Sequence, residues 1–215
     1  MAITPREFIA ILGRIAAAME AQKDYFSELD RAIGDGDHGV SLSVGWAAVT
    51  EALAALPDEP DFAQVCMAAS KAFLGSVGGS CGPLYATALM RGGMALKGKE
   101  TLDRDAVVAF LIAAGGGIRD RGKAEPGDKT MLDTWHPAVA ALEAANGNGA
   151  DLSASLAACV SGAEAGMNGT KDLLAKKGRS SRLGERSRGH VDPGAASSYC
   201  FIKTFADGVL APERG

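Results

Sequence analysis

Three acidic residues lie close together on a glycine-rich segment, in a pattern suited to binding a divalent cation. Asp30, Asp35 and Asp37 fall within eight residues, and glycines are interspersed among them. Carboxylate oxygens are the ligands that Mg²⁺ and Ca²⁺ prefer, and Mg²⁺ commonly completes its shell with phosphates and water. The spacing does not match an EF-hand loop. The alternative interpretation is a turn at Asp35 and Gly36, with Asp37 as a helix N-cap.

A second segment, 75–83, is rich in glycine and leads into a predicted helix. Backbone N–H groups exposed beside the positive end of a helix dipole form an anion site, and glycine lets a phosphate approach closely. The segment is not a Walker A loop, because no Gly-Lys-Ser/Thr follows, and no strand precedes it as a Rossmann fingerprint requires. A close-packed turn between two helices is the alternative.

A third segment, 178–194, carries four arginines within ten residues, with Ser and Gly between them. They are Arg179, Arg182, Arg186 and Arg188. Guanidinium groups pair well with phosphates, although a solvated basic loop remains the alternative. His38 and His190 are candidate acid–base groups, whereas His136, beside Pro137, is predicted to be structural.

Together, the three segments offer a metal site, a cradle of N–H groups and positive charge. This set meets the needs of Mg-dependent phosphoryl transfer, which are positioning and charge neutralisation. Gly78-Gly79-Ser80-Cys81-Gly82 has the spacing of a Ser nucleophile elbow, G-x-S-x-G, but no strand precedes it, so acyl transfer gains no support.

Helices alone are predicted to position these segments. Apolar residues recur at helical spacing, Thr4-Pro5-Arg6-Glu7 reads as a capping box, and no segment alternates as a strand does. Eight helices are expected, at about 5–29, 40–56, 61–74, 82–96, 103–119, 130–145, 153–177 and 193–210, with Pro137 bending or restarting the sixth. Short connections favour an antiparallel, up-and-down bundle or barrel.

Composition narrows the class of protein. The 215 residues predict a single domain over 1–215, and 22 basic against 26 acidic residues give a net charge of −4, which argues against nucleic acid as the ligand. The four cysteines form no C-x-x-C pair, so no zinc site is indicated. With neither a secretory signal nor a run of apolar residues long enough to span a bilayer, we expect a cytoplasmic protein without a membrane span.

Four motifs carry a resemblance to a known family over essentially the whole chain. They are Gly34-Asp-Gly-Asp-His-Gly39, Gly78-Gly-Ser-Cys-Gly-Pro-Leu-Tyr85, Gly127-Asp-Lys-Thr-Met-Leu-Asp133, and Gly178-Arg-Ser-Ser-Arg-Leu-Gly-Glu-Arg186 followed by Asp192-Pro-Gly-Ala195. In this order they resemble the nucleotide-binding L subunit of dihydroxyacetone kinases. The resemblance implies an all-α, eight-helix antiparallel up-and-down barrel that holds ADP or ATP at one end.

The resemblance also assigns roles to individual residues. It implies that Asp30, Asp35 and Asp37 bind two Mg²⁺ ions that bridge the nucleotide phosphates. It implies nucleotide contacts at His38, Gly39, Val40, Ser41, Gly79, Ser80, Gly122, Met131, Arg179, Asp192, Pro193 and Gly194. No residue of this chain is expected to act as a nucleophile.

The partners follow from the same resemblance. A separate K subunit would hold the short ketose that receives the phosphoryl group, and in one branch of the family a phosphotransferase-system phosphocarrier subunit rephosphorylates bound ADP. Two alternatives stay open: a subunit that exchanges free ATP and serves another triose or tetrose such as erythrulose, and a nucleotide-bound regulatory module that docks on a transcription factor. A homodimer is also compatible with the resemblance.

Overall fold

The computed structural model describes residues 3–211, and these residues fold almost entirely into helices. The α-helices are α1 (Pro5–Ala21), α2 (Lys23–Ile33), α3 (His38–Ala54), α4 (Phe62–Ser76), α5 (Cys81–Ala95), α6 (Arg104–Gly122), α7 (Leu132–Gly147), α8 (Leu152–Gly169) and α9 (Pro193–Leu210). Two 3₁₀ helices, η1 (Thr170–Asp172) and η2 (Arg179–Ser187), connect α8 to α9. Within 3–211 the β contact is a single bridge between Ile3 and Leu102. The all-α prediction is confirmed, whereas residues 1, 2 and 212–215 of the predicted domain lie outside the described residues.

The predicted first helix is divided in two, so the described chain has nine α-helices where eight were expected. The break falls at Gln22, whose backbone (φ −103°, ψ 10°) leaves the helical region. No Pro or Gly marks this point in the sequence. The side-chain amide of Gln22 donates to Cys200 Sγ at 3.2 Å. After the break, α2 packs against α3, α9 and η2, whereas α1 packs against α3, α4 and α9.

Two further predictions differ from the structure between Pro137 and Lys177. Pro137 lies inside an uninterrupted α7, so the helix does not restart there. The predicted helix 153–177 ends at Gly169, after which Thr170–Asp172 forms η1 and Leu173 turns to an extended conformation (ψ 149°). Residues 173–178 belong instead to the connection that carries the chain towards η2.

The helices pack in chain order, and the last one returns to the first. Each helix from α3 to α8 contacts the next one along the chain, and α9 also contacts α1, α2 and α7. Phe8 of α1 packs edge-on against Phe62, Phe110 and Phe205, with ring centroids 5.5–6.4 Å apart. Each fully buried aromatic ring stabilises the fold by about 1.5–3 kcal/mol. The contacts therefore close into a ring around a shared apolar core.

Small residues let these helices approach closely. A methyl group added at Gly92 would meet the Phe110 ring, and one at Gly93 would meet Cys66. On α8, a methyl group at Gly166 would strike the carbonyl of Asp133 in α7. That carbonyl lies four residues before Pro137, which has no N–H to donate to it. These glycines therefore serve helix packing, and none of them belongs to the three glycine-rich segments 30–39, 75–83 and 178–194.

None of the helices in the described part of the chain is both long and apolar enough to cross a bilayer.

Candidate functional site

A cavity of about 690 Å³ opens at the end of the fold where α3, α5, α7 and α9 begin. The three motif-bearing loops meet there. Its lining includes Asp30, Ile33, Asp35, Asp37, His38, Ser41, Gly78, Gly79, Ser80, Cys81, Pro83, Leu84, Ile118, Arg121, Gly122, Ala124, Lys129, Thr130, Met131, Leu132, Lys177, Gly178, Arg179, Ser180, Asp192, Pro193 and Gly194. The volume and the mixed lining suit a small-molecule ligand.

The three predicted metal ligands form a cluster at this cavity. One carboxylate oxygen each from Asp30, Asp35 and Asp37 lies within 4.8 Å of the others. Asp30 sits on the last turn of α2, and its Oδ2 accepts a hydrogen bond of 3.2 Å from the backbone N–H of His38. Gly34 must lack a side chain, because a methyl group there would collide with the Asp30 carboxylate. Three hard oxygen donors at this spacing fit a Mg²⁺ ion.

Arg179 supplies the positive charge that faces this cluster. Its guanidinium forms an ion pair with Asp35 and lies 3.8 Å from Asp37. It follows Gly178, whose φ of +68° is a conformation that glycine adopts readily. Both side chains of the Arg179–Asp35 pair are about half exposed, so solvent screens the pair and its guanidinium remains accessible to an anion.

Helix capping differs between the two ends of the fold. The helices that begin at the opposite end, α1, α4, α6 and α8, each have a side chain that accepts a backbone N–H at the N-terminus. At the cavity, the N-caps of α3, α5 and α7 make no such bond. The α9 helix, which begins at the same end, is capped by Asp192, and the first N–H groups of α3 and α7 are bonded to Asp30 and Thr130. The positive ends of the helix dipoles nevertheless lie beside the carboxylates, as a phosphate site requires.

His38 forms a buried hydrogen-bond chain at the start of α3. Its Nε2 shares a hydrogen bond of 2.9 Å with Ser197 Oγ, which also accepts from the Tyr85 hydroxyl at 2.9 Å. Burial lowers the pKa of His38 to about 4, although Asp30 and a hydrogen bond with the backbone of Pro193 oppose the shift. The imidazole is therefore neutral at pH 7 and acts as a hydrogen-bonding group rather than as a cation.

Asp192 caps α9 at the cavity wall. Its side chain accepts from the N–H of Ala195 at 2.8 Å, and its own N–H donates to Thr170 Oγ1 at 3.0 Å. Burial raises the pKa of Asp192 to about 7, while the bond from Ala195 and the charge of Lys129 oppose the rise. Pro193 and Gly194 follow directly, and a methyl group on Gly194 would lie 2.8 Å from Met131 Cγ.

The turn 127–131 is a part of the site in which sequence reasoning identified only Met131. Asp133 organises it by accepting from the N–H groups of Gly127 at 2.5 Å and Thr130 at 2.7 Å. Lys129 has a left-handed backbone (φ +61°), which costs a residue other than glycine roughly 1–2 kcal/mol. Its side chain is 1% exposed. The motif 127–133 is the one sequence signal for this turn. The spacing of its residues does not show that Lys129 is buried.

The cavity brings together most, but not all, of the predicted nucleotide-binding residues. Those at its lining are His38, Ser41, Gly79, Ser80, Gly122, Met131, Arg179, Asp192, Pro193 and Gly194. Gly39 and Val40 lie outside the lining. Gly39 packs against Lys23 and Ser27 of α2, with no room for a side chain, while the Val40 side chain is exposed. Of the four loop arginines, Arg179 alone reaches the cavity lining, and His190 does not reach it.

Apolar side chains form the remaining wall of the cavity. Ile33, Leu84, Ile118, Met131 and Leu132 line it between α2, α5, α6 and α7. A flat aromatic base suits such a surface, while charged phosphates suit the carboxylates, arginine and helix N-termini described above. The fold and the site thus define an all-α protein with a cavity whose lining suits a metal–phosphate ligand that carries an apolar group.

Comparisons with known proteins agree with this description. The DAK2 domain model matches residues 32–207. Over 198 residues the chain is 39% identical to the ADP-binding subunit DhaL of PEP-dependent dihydroxyacetone kinase 2 from Listeria innocua, covering 92% of this chain and 91% of the relative. It is 36% identical over 206 residues to the ADP-binding subunit DhaL of the PEP-dependent dihydroxyacetone kinase of Escherichia coli, covering 96% and 98%.

Solved structures show the same fold. The dihydroxyacetone kinase of C. freundii superposes with a TM-score of 0.71 at 24% identity, over 95% of this chain and 35% of that one. The same enzyme in complex with AMP-PNP and Mg²⁺ gives a TM-score of 0.69 at 23% identity, over 93% and 33%. The chain belongs to the DAK2 domain family, and its resemblance to the L subunits of dihydroxyacetone kinases is confirmed.

Proposed function

We propose that this chain is the ADP-binding L subunit of a PEP-dependent dihydroxyacetone kinase, and that it works as a single domain over 1–215 in the cytoplasm. The observation that carries the proposal is the carboxylate cluster, which faces three uncapped helix N-termini and Arg179 across one cavity. The names of the relatives that the chain matches over more than nine-tenths of its length support it.

In this proposal Asp30, Asp35 and Asp37 would hold two Mg²⁺ ions, which when bound neutralise the charge of the nucleotide phosphates. The N–H groups that begin α3 and α5 would bind phosphate oxygens, with Gly79 and Ser80 close to them. The apolar wall would receive the base. Arg179, released from Asp35, would pair with phosphate charge.

The acceptor would come from a partner, because this cavity offers no activated nucleophile of its own. We propose that a separate K subunit holds the ketose and that the nucleotide's terminal phosphoryl group passes to a hydroxyl of that ketose. A phosphocarrier subunit would then regenerate the nucleotide. Relatives named as PEP-dependent or PTS-dependent kinases favour this source of phosphate over exchange with free ATP.

Calorimetric titration of ADP with Mg²⁺ tests the metal assignment. We expect Asp35→Asn to abolish Mg-dependent ADP binding, because the substitution removes one of three carboxylate charges. The matched control is Asp58→Asn, an exposed acid at the opposite end that pairs with Arg6 and should leave binding unchanged. If the folded Asp35→Asn variant binds ADP with the wild-type dependence on Mg²⁺, the metal assignment fails.

Native mass spectrometry before and after dialysis against excess ATP tests the source of phosphate. Retained ADP that does not exchange supports the proposal. Free exchange of bound nucleotide instead indicates a subunit that uses ATP directly as its substrate.

A further inference from the structure

Lys129 is a buried cation that holds two segments of backbone beside the cavity. Its Nζ donates to the carbonyl of Thr170 at 2.6 Å and to the carbonyl of His190 at 2.5 Å. With 1% of its surface exposed, the ammonium is committed to these two carbonyls. A lysine that bound phosphate directly would need an accessible ammonium, so the observed geometry indicates a different role for Lys129.

Other bonds join the same two segments. The Asp192 N–H donates to Thr170 Oγ1 at 3.0 Å, the Gly189 N–H donates to the carbonyl of Lys171 at 2.8 Å, and the Arg188 guanidinium donates to the carbonyl of Asp172 at 3.2 Å. Residues 188–192 are therefore held along η1. Among these bonds, the two from Lys129 alone also connect the turn that precedes α7.

The segment held in this way leads directly into the cavity wall. Asp192, Pro193 and Gly194 line the cavity, and Gly194 abuts Met131, two residues after Lys129. The charge is also balanced locally, since Asp192, Asp172 and Asp133 attract the ammonium. Removal of the ammonium would leave the carbonyl of His190 without this donor and that of Thr170 with the N–H of Leu173 alone. It would also remove the two bonds that tie the turn 127–131 to η1 and to residues 188–192.

We infer that Lys129 is a positioning residue for nucleotide binding, which fixes residues 188–194 and the turn 127–131 against η1 so that the cavity wall is formed before the ligand arrives. The inference rests on the proposed function, since it takes the nucleotide as the ligand of this cavity. A preformed wall strengthens binding because the loop need not be ordered when the nucleotide binds.

The first test is calorimetric titration of ADP with Mg²⁺ into wild-type protein and Lys129→Met, which keeps the apolar stem and removes the ammonium. We expect binding at least about tenfold weaker in the variant, from the loss of charge-assisted hydrogen bonds. The matched control is Asp151→Ala, which removes the bonded N-cap of α8 at the opposite end. It should lower the stability of the fold and leave ADP affinity unchanged.

The second test is hydrogen–deuterium exchange without nucleotide, which separates positioning from direct contact. Loss of a direct phosphate contact would leave the ligand-free protein unchanged, whereas loss of a positioning contact should speed exchange in residues 186–194 and not in α1 or α6. If Lys129→Met does not fold, Lys129→Gln, which keeps an amide donor, takes its place in both experiments.

Three results are decisive. Wild-type affinity in a folded Lys129 variant, or exchange in residues 186–194 that rises no more than in α1 and α6, overturns the inference. Failure of the wild-type protein to bind ADP with Mg²⁺ overturns the proposed function instead. In that case the exchange experiment still reports whether Lys129 holds the segment, because it needs no ligand.

Discussion

Asp192 should make the protein less stable as its carboxyl ionises, which Asp192→Asn tests directly. The carboxyl is 8% exposed, and burial raises its pKa from 3.8 to about 7. A carboxyl whose pKa is raised in the folded state stabilises the fold below its unfolded pKa, and this contribution is lost as pH rises through the folded pKa. A rise of about 3 in pKa corresponds to about 4 kcal/mol. Asn keeps the N-cap but cannot ionise.

The assay is urea unfolding of both proteins in EDTA, at intervals from pH 4 to pH 8. Near pH 4 the carboxyl is largely neutral in the folded state, so the two proteins should differ little. By pH 8 the variant should be more stable than the wild type, by up to about 4 kcal/mol. Asp151→Asn offers the comparison for an exposed N-cap that makes the same bond, to Ala154, at the opposite end.

A stability difference that is the same at pH 4 and pH 8, or that shrinks as pH rises, would refute this reasoning. It would mean that Lys129 and the N–H of Ala195 compensate the buried charge fully. The expected result instead identifies Asp192 as a group at the cavity wall whose ionised carboxylate lowers the stability of the fold. Titratable groups of that kind cluster at functional sites.

Two more predictions concern His38 and the helix packing. His38→Gln should show a pH dependence opposite to that of Asp192→Asn, because burial lowers the pKa of His38 from 6.5 to about 4. As pH drops from 7 to 4, the wild type should lose about 3 kcal/mol of stability relative to the variant. Urea unfolding measures this difference. An unchanged difference across that range would contradict it. Gly93→Ala should lower stability by about 1–3 kcal/mol, since the added methyl group meets Cys66, whereas Gly13→Ala, which faces open space in α1, should raise it by about 0.5–1 kcal/mol. Thermal unfolding of both variants checks this, and equal effects at the two glycines would refute it.

The sequence predicts most helices well because their signals are local. The capping box at Thr4 and Glu7 forms as expected, and the last helix has the predicted bounds, starting after Asp192 with Pro193 in its first turn. The break at Gln22 has no local signal. It arises because α2 must contact α3 and η2 while α1 keeps its contacts with α3 and α9, and sequence periodicity carries no information about that choice.

The site residues also divide into those that a local sequence pattern predicts and those that depend on contacts between distant segments. Asp30, Asp35 and Asp37 could be predicted because one short glycine-rich segment holds all three, so their proximity follows from the chain itself. The role of Lys129 depends on Thr170 and His190, which lie 41 and 61 residues away. A contact of that kind is fixed only once α7, η1 and the start of α9 are packed together. A lone lysine in a turn would otherwise be expected in solvent.

The capping pattern marks three of the helices that begin at the cavity. At the opposite end Asp or Thr supplies the missing acceptor, as at Asp61, Asp103 and Asp151. At the cavity end the corresponding position of α7 is Met131, which has no side-chain oxygen to offer, and the side chains of Asp37 and Ser80 make no bond to the helices that they precede. Two helices depart from this pattern: Asp192 caps α9 at the cavity, and Gln22, outside the cavity lining, makes no cap bond to α2. Because Asp and Ser usually cap a helix, the missing bonds at Asp37 and Ser80 are visible in the structure and not in the sequence. An anion bound beside α3 and α5 would supply the acceptors that these side chains do not.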